Sequence, residues 1–306
     1  MKKLLISAAL IVSLAFTMSY AAAGEGKPVV GFSVGNTVEP FFKVMEDGIR
    51  QAGEDLGVEV IVASSEADVA RQVNNCEDFI TNNVNAIILT PIDSTGVVPA
   101  VRHANREGIP VITADITVSS GDVASFVSAD NAEGGRLAAR FIAEKLAGKG
   151  ELFILDDLKV TSVSQRSDAF VEELAKNAPG IKIVERTNVG FARDVCMKAT
   201  EDLILTYPRL NAIFAAQGGD AGLGAAAAVI AAGKTQDILI VNFDCEDESI
   251  SLIKKGGPVR ADVYQNPYEI GYKAMEQAVK AIKGEKVTAD IKTEVRLITS
   301  ANLDEL

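Results

Sequence analysis

"NAIILTPID" (85–93) leads through a helical stretch to "IPVITAD" (109–115), and "NAIFAAQGGD" (211–220) leads through another to "ILIVNFD" (238–244). Each pair reads strand, loop, helix, strand, aspartate, and the two spans are nearly equal in length. The strands are short, continuous apolar runs, which a parallel sheet covered on both faces requires. A unit used twice predicts two similar doubly wound α/β lobes. In such sheets ligands bind beyond the carboxyl ends of the strands. Asp115 and Asp244 each close a strand, so two facing lobes would point both carboxylates into one cleft.

The same rhythm extends outward from these units. Lys27–Val34 reads as strand, Pro40–Leu56 as helix, Val58–Ala63 as strand, and Ala67–Asn82 as helix. Ala86–Thr90, Val97–Arg106, Pro110–Ala114, Val123–Ser128 and Ala132–Ala147 continue it, and it resumes at Glu151–Leu155 and runs to Lys283. The stretch "NTVEPFFKVMEDG" (36–48) falls just after the first strand. Pro40 suits a first helical position, with Glu39 before it as cap. Met45, Ile49, Ala52 and Leu56 continue an apolar stripe from Phe42, so at least one of the rings Phe41 and Phe42 is partly structural.

The chain of 306 residues is long enough for two ordinary domains. Lys2 and Lys3 precede an apolar run, Leu4–Met18, that is short for a membrane span. Small residues at Ser19–Ala23 offer a cleavage site, so residues 1–23 read as a secretory signal peptide cut near Ala21–Ala23. Removing Lys2 and Lys3 leaves 28 basic against 42 acidic side chains, a net of −14. That balance argues against nucleic acid and anionic lipid as partners. Cys76 and Cys196 sit on apolar helix faces as core residues. Cys245 follows a strand end beside Asp244, and its pairing with Cys196 stays open in an exported chain. No cysteine or histidine cluster supports a metal site, and no cofactor motif occurs. His103, the only histidine, falls on a helix surface.

Seven segments in order resemble the periplasmic sugar-binding proteins of ABC transporters, the group containing ribose- and allose-binding proteins. They are "PFFKVMEDG" (40–48), "IPVITAD" (109–115), "SADNAEGGRLAA" (128–139), "SQRSDAF" (164–170), "NAIFAA" (211–216), "VNFD" (241–244) and "YQNPYEIGYKA" (264–274). The resemblance covers essentially the whole mature chain. It implies two lobes joined by three chain crossings, near Ala129–Asn131, Gln265–Pro267 and Ile291–Thr293. Residues 24–129 plus 266–291 would form the N-terminal lobe, and 130–265 plus 292–306 the C-terminal lobe. It further implies a binding set: Glu39, Phe41, Phe42 and Asp115 from the first lobe, Arg166, Phe191, Gln217, Asp244 and Gln265 from the second. Rings would stack on the apolar faces of a sugar, and the polar groups would read its hydroxyls.

The resemblance implies a small neutral sugar or polyol as ligand and an ABC permease as partner, in a monomer free to serve a chemoreceptor as well. It implies neither catalysis nor a cofactor. Three departures bear on the ligand: relatives that bind ribose carry Asn where Glu39 stands, Arg where Ile116 stands, and a shorter motif than "QGGDAGLG" (217–224). The pocket has lost a cation and gained an anion, which leaves an aminosugar as the alternative ligand. Two rivals remain. A secreted carbohydrate-active enzyme could use paired carboxylates. A regulator's effector domain would need a helix-turn-helix where the leader stands.

Overall fold

The computed structural model describes residues 26–37 and 39–306. The leader expected over residues 1–23 lies outside the described residues. The first half of the chain runs β1 Val29–Val34, α1 Pro40–Leu56, β2 Glu59–Ser64, α2 Val69–Thr81, β3 Ala86–Leu89, α3 Val98–Arg106, β4 Val111–Ala114 and β5 Ser125–Ala129. Then come α4 Asn131–Lys145, β6 Lys149–Asp156, α5 Thr161–Asn177, β7 Gly180–Asn188, α6 Arg193–Thr206, β8 Leu210–Ala215, α7 Gly219–Ala231, β9 Leu239–Phe243, α8 Asp247–Lys254 and β10 Val259–Tyr264. Finally α9 Pro267–Ile282, β11 Asp290–Thr293 and β12 Arg296–Thr299 close the chain.

Two six-stranded sheets result, in the orders β11-β5-β4-β3-β1-β2 and β12-β10-β9-β8-β6-β7. Position for position these are the same sheet built twice. Every strand pair is parallel except β10 with β12. The exception has a topological cause: β12 follows β11 of the other sheet directly, with no crossover helix to turn it. β3 and β4 are buried at every residue, as strands covered on both faces must be, whereas the edge strands β2 and β7 alternate.

Helices α1 and α9 cover one face of the first sheet and α2 with α3 the other. In the second sheet α4 and α5 cover one face, and α6, α7 and α8 the other. Met45, Ile49 and Ala52 of α1 are fully buried as the spacing predicts, but Leu56 is exposed because the stripe ends before the left-handed cap at Gly57. Cys76 and Cys196 are core residues, and all three cysteines are free. Cys245 does not face the cleft: it packs on the core of the second sheet, since the chain turns over at Asp244. His103 bonds Glu77 at 2.6 Å on the flank of α3, away from the cleft.

The chain passes between the sheets three times, between β5 and α4, between β10 and α9, and between β11 and β12. The passages are tied to one another. Asp130 donates its backbone N–H to Thr293 O at 3.1 Å, and the Thr293 hydroxyl donates to Gln265 O at 3.4 Å.

Helices α1 and α9 touch backbone to backbone. A methyl group built on Gly271 would lie 2.1 Å from Met45 O, and one on Gly48 would lie 2.2 Å from Tyr268 O. Backbone oxygen cannot move aside as a flexible side chain would. Gly271→Ala is therefore expected to destabilise the protein by about 1–3 kcal/mol from overpacking, although alanine is the better helix former by up to about 1 kcal/mol. A urea-denaturation midpoint at or above wild type would contradict this contact.

Candidate ligand-binding site

The site begins with two aspartates in an uncommon backbone conformation. Asp115 follows β4 with φ +66, and Asp244 follows β9 with φ +90. A short polar side chain tolerates this region better than most. Each donates its backbone N–H to the next strand, Asp115 to Val127 O at 2.8 Å and Asp244 to Val263 O at 3.0 Å. The duplicated unit thus places the same residue in the same strained turn at the carboxyl end of each sheet. Strain at such a spot is a mark of function.

Arg166 lies inside α5, a turn and a half from its start, and is 3% exposed. Its Nε donates to Asn131 Oδ1 at 2.7 Å, Nη1 to Ala216 O at 3.1 Å and to Gln217 O at 3.4 Å, and Nη2 to Gln265 Oε1 at 2.8 Å. The guanidinium lies 4.3 Å from the centre of the Phe243 ring. Gln265 in turn donates to Asp244 Oδ1. One N–H of Nη2 is left over for a ligand, because the fork has five in all. Burial lowers the Arg166 pKa from its ordinary value, and Asp244 and Asp115 oppose that shift.

The cleft between the lobes holds about 550 Å3, inside the usual range for small-molecule sites. All nine residues singled out from the sequence line it: Glu39, Phe41, Phe42, Asp115, Arg166, Phe191, Gln217, Asp244 and Gln265. Phe41 and Phe42 are both half-buried and meet edge to face, with centroids 5.5 Å apart and planes at 83°. Neither is a pure core ring: both pack on the main core and both face the cleft. Phe191 does not open a helix. It sits in the loop before α6, 45% exposed, where a ring can meet an incoming ligand. Glu39 holds the cap position of α1, yet its side chain caps nothing. Its carboxyl stands at the cleft, where burial and then Asp244 and Asp220 raise its pKa.

Gln217 donates from Nε2 to Asp156 O at 2.9 Å and to Gly190 O at 2.6 Å. That turns its Oε1 loose, and this buried acceptor has no partner. Asp115 Oδ1 is a second buried acceptor without a partner. The "QGGD" turn requires glycine at 218: a methyl group there, at φ +85, would lie 2.4 Å from Asp244 Oδ2. Sequence reasoning missed Asn131, Asp220, Glu246, Thr90 and Ser162 as parts of this neighbourhood. Asn131 stood inside a quoted segment. Asp220 closed the quoted "NAIFAAQGGD" (211–220), and Glu246 lay two residues beyond Asp244.

The carboxylates repel one another. Burial, with Asp244 adding, raises Asp115 to about 6. Burial and then Asp244, Asp220, Glu39 and Glu248 raise Glu246 to about 7. Behind the cleft, burial raises Asp262 to about 7, although Ser249 donates to it.

A profile of the periplasmic binding protein domain matches residues 30–286. The ribose import binding protein RbsB of Haemophilus influenzae is 33% identical over 301 residues, 98% of this chain and 100% of that protein. A solute-binding protein from Bacillus halodurans C-125, solved with bound myo-inositol, superposes with a TM-score of 0.84 at 27% identity, covering 92% of this chain and 98% of that one. One from Actinobacillus succinogenes 130z, solved with bound D-allose, also gives 0.84, at 26% identity, covering 92% of this chain and all of that one.

Raised folded-state pKa values set a direction for stability. The native state holds these protons more tightly than the unfolded chain, whose aspartates titrate near about 4. Stability is then full below that value and is lost as pH rises through the folded values of about 6 for Asp115 and about 7 for Asp262. The melting temperature of the unliganded protein is expected to fall between about pH 5 and about pH 8. Asp262→Asn is expected to flatten the slope above about pH 6. A flat wild-type profile would contradict the burial of these carboxyls.

Two duplicated lobes, a cleft at their strand ends and a match along nearly the whole chain carry one conclusion: this chain belongs to the periplasmic binding protein family, of the ribose- and allose-binding kind, and is a binding protein, not an enzyme.

Proposed function

We propose that this protein captures a monosaccharide or a small polyol in the cleft between its lobes and hands it to the membrane permease of an ABC transporter. The observation that carries the reading is the composition of the cleft. Aromatic faces stand on both sides, Phe41 and Phe42 from the first lobe and Phe191 from the second, among polar groups with unused bonding capacity. Sugars need that combination, because their C–H faces are apolar and their hydroxyls both donate and accept. Asp115 Oδ1 and Gln217 Oε1 would accept from ligand hydroxyls, and the spare Arg166 N–H would donate.

The lobes, read as 24–129 with 266–291 and 130–265 with 292–306 but with all of β11 in the first sheet, so that the third crossing falls between Thr293 and Arg296, would close over the ligand about the three linked crossings. Closure would bury the ligand and bring together a surface for the permease to read. The leader read over residues 1–23 would export the chain to the periplasm, where it would act as a monomer. A chemoreceptor could read the same closed form. The bound sugars and inositol of the solved relatives support a ligand of this size.

The test is a thermal-shift screen of the mature chain against monosaccharides, sugar alcohols and cyclitols. A ligand that binds only the native state adds about 2.7 kcal/mol at a hundredfold excess over Kd, so a true ligand is expected to raise the melting temperature clearly. Asp244→Ala is expected to abolish that rise, since it removes a carboxylate at the centre of the cleft. A screen in which no sugar or polyol stabilises the protein would overturn the reading.

A further inference from the structure

The cleft holds five carboxylates, Glu39, Asp115, Asp220, Asp244 and Glu246, against one guanidinium among the described lining residues. Four of the acids stand around the start of α7. A methyl group built on Gly219 would lie 3.3 Å from Glu246 Oε1 and 3.5 Å from Asp244 Oδ2. Both carboxylates therefore face the side of Gly219 that carries no side chain, so nothing stands there between them and the cleft. Asp220 follows on the first turn of α7, and Glu39 comes from the opposite lobe.

Of the nearby cations among the described residues, Arg193 pairs with Asp220 from outside the cleft, and none is paired with Glu39 or Glu246. Arg193 bonds Glu248 at 2.8 Å and stands 3.6 Å from Asp220, outside the cleft. Arg166 is held by Asn131, Ala216 and Gln265. The amino end of α7 helps Asp244 through the Gly219 N–H, but a helix end is worth only about half a charge. An independent observation points the same way. Asp115 and Gln217, 5% and 3% exposed, both line this cleft, and each carries a buried acceptor with no partner. The walls hold donors too, in the Thr90 and Ser162 hydroxyls and the spare Arg166 N–H, but among the described lining residues the Arg166 guanidinium is the one positive charge set against five carboxylates.

We infer that the natural ligand carries an ammonium group, as an aminosugar or an amino polyol, seated beside Gly219 between Asp244 and Glu246 and covered by Glu39 of the facing lobe. The inference rests on the sugar or polyol reading and narrows it. An ammonium is close to a methyl group in size and offers three donors and no acceptor. Its charge is buried only in company, where pairing offsets desolvation. It also couples charge to closure. Bringing Glu39 over Asp220, Asp244 and Glu246 sets like charges together, and a cation between them turns that repulsion into attraction.

The experiment is isothermal titration of the mature chain at pH 7 with matched probes: D-glucosamine against D-glucose, D-galactosamine against D-galactose, and D-glucamine against D-sorbitol. In at least one pair the amino member is expected to bind about tenfold tighter or more. Glu246→Gln is expected to remove most of that preference. Glu39→Gln, at the exposed start of α1, makes the same test should the first variant not fold, with melting curves as the check. Hydroxyl parents that bind as well as their amino partners would overturn the ammonium and leave the sugar reading standing. An amino preference unchanged in both variants would overturn the seat beside Gly219. If no member of any pair binds, and no sugar does in the thermal screen, the sugar reading falls and the ammonium with it.

Discussion

A single buried guanidinium holds the centre of the molecule together. Arg166 reaches Asn131 at the first chain passage, the strand end at Ala216, and Gln265 at the second passage, and Gln265 passes the contact on to Asp244. Only arginine has a rigid fork of donors able to meet partners on three sides. The ion is costly to bury, and four acceptors, Asn131 Oδ1, Ala216 O, Gln217 O and Gln265 Oε1, together with the charges of Asp244 and Asp115 offset that cost. Beneath it, Phe243, Phe214 and Phe170 form a ladder, with Phe170 and Phe214 stacked at 4.2 Å. The helix that carries it is pressed against α4: a methyl group on Gly135 would lie 2.1 Å from Arg166 O. The position of this charge is thus set by backbone contact, not by the side chain alone.

Duplication explains most of what surrounds it. The two sheets share one strand order, and each ends its fourth strand, β4 or β9, in an aspartate of positive φ. The copies have diverged in what stands beside that aspartate. In the first lobe it is Ile116, largely buried; in the second it is Cys245, turned into the core, and then Glu246, turned to the cleft. One lobe supplies paired aromatic rings, and the other supplies Arg166 and most of the acids. A cleft between unlike halves can grip a small, asymmetric molecule in one orientation.

The electrostatic state of the cleft follows from the same divergence. Burial first, with neighbouring carboxylates adding, holds Asp115 and Glu246 above the ordinary carboxylate range. A charged group entering such a cleft would shift their protonation, so ligand charge and proton uptake would be linked.

The sequence by itself determined the lobes, the order of elements and the residues at the strand ends. Continuous apolar strands such as β3 and β4 and the striped helix α1 are local patterns, and local periodicity survives without knowledge of partners. It also brought out Asp115 and Asp244, because a repeated unit repeats its site. Only the tertiary structure decided the rest. Glu39 fits a helix cap by position, yet across the cleft it faces acids remote in sequence. Cys245 stands next to Asp244 in the chain, but the positive φ at both residues sends their side chains to opposite sides. Asp220, Glu246 and the bare side of Gly219 meet only because β8 and β9 lie side by side. Spacing along the chain encodes which face a residue takes within one element. Which charges share a space depends on contacts between elements far apart in sequence, and no local pattern records those.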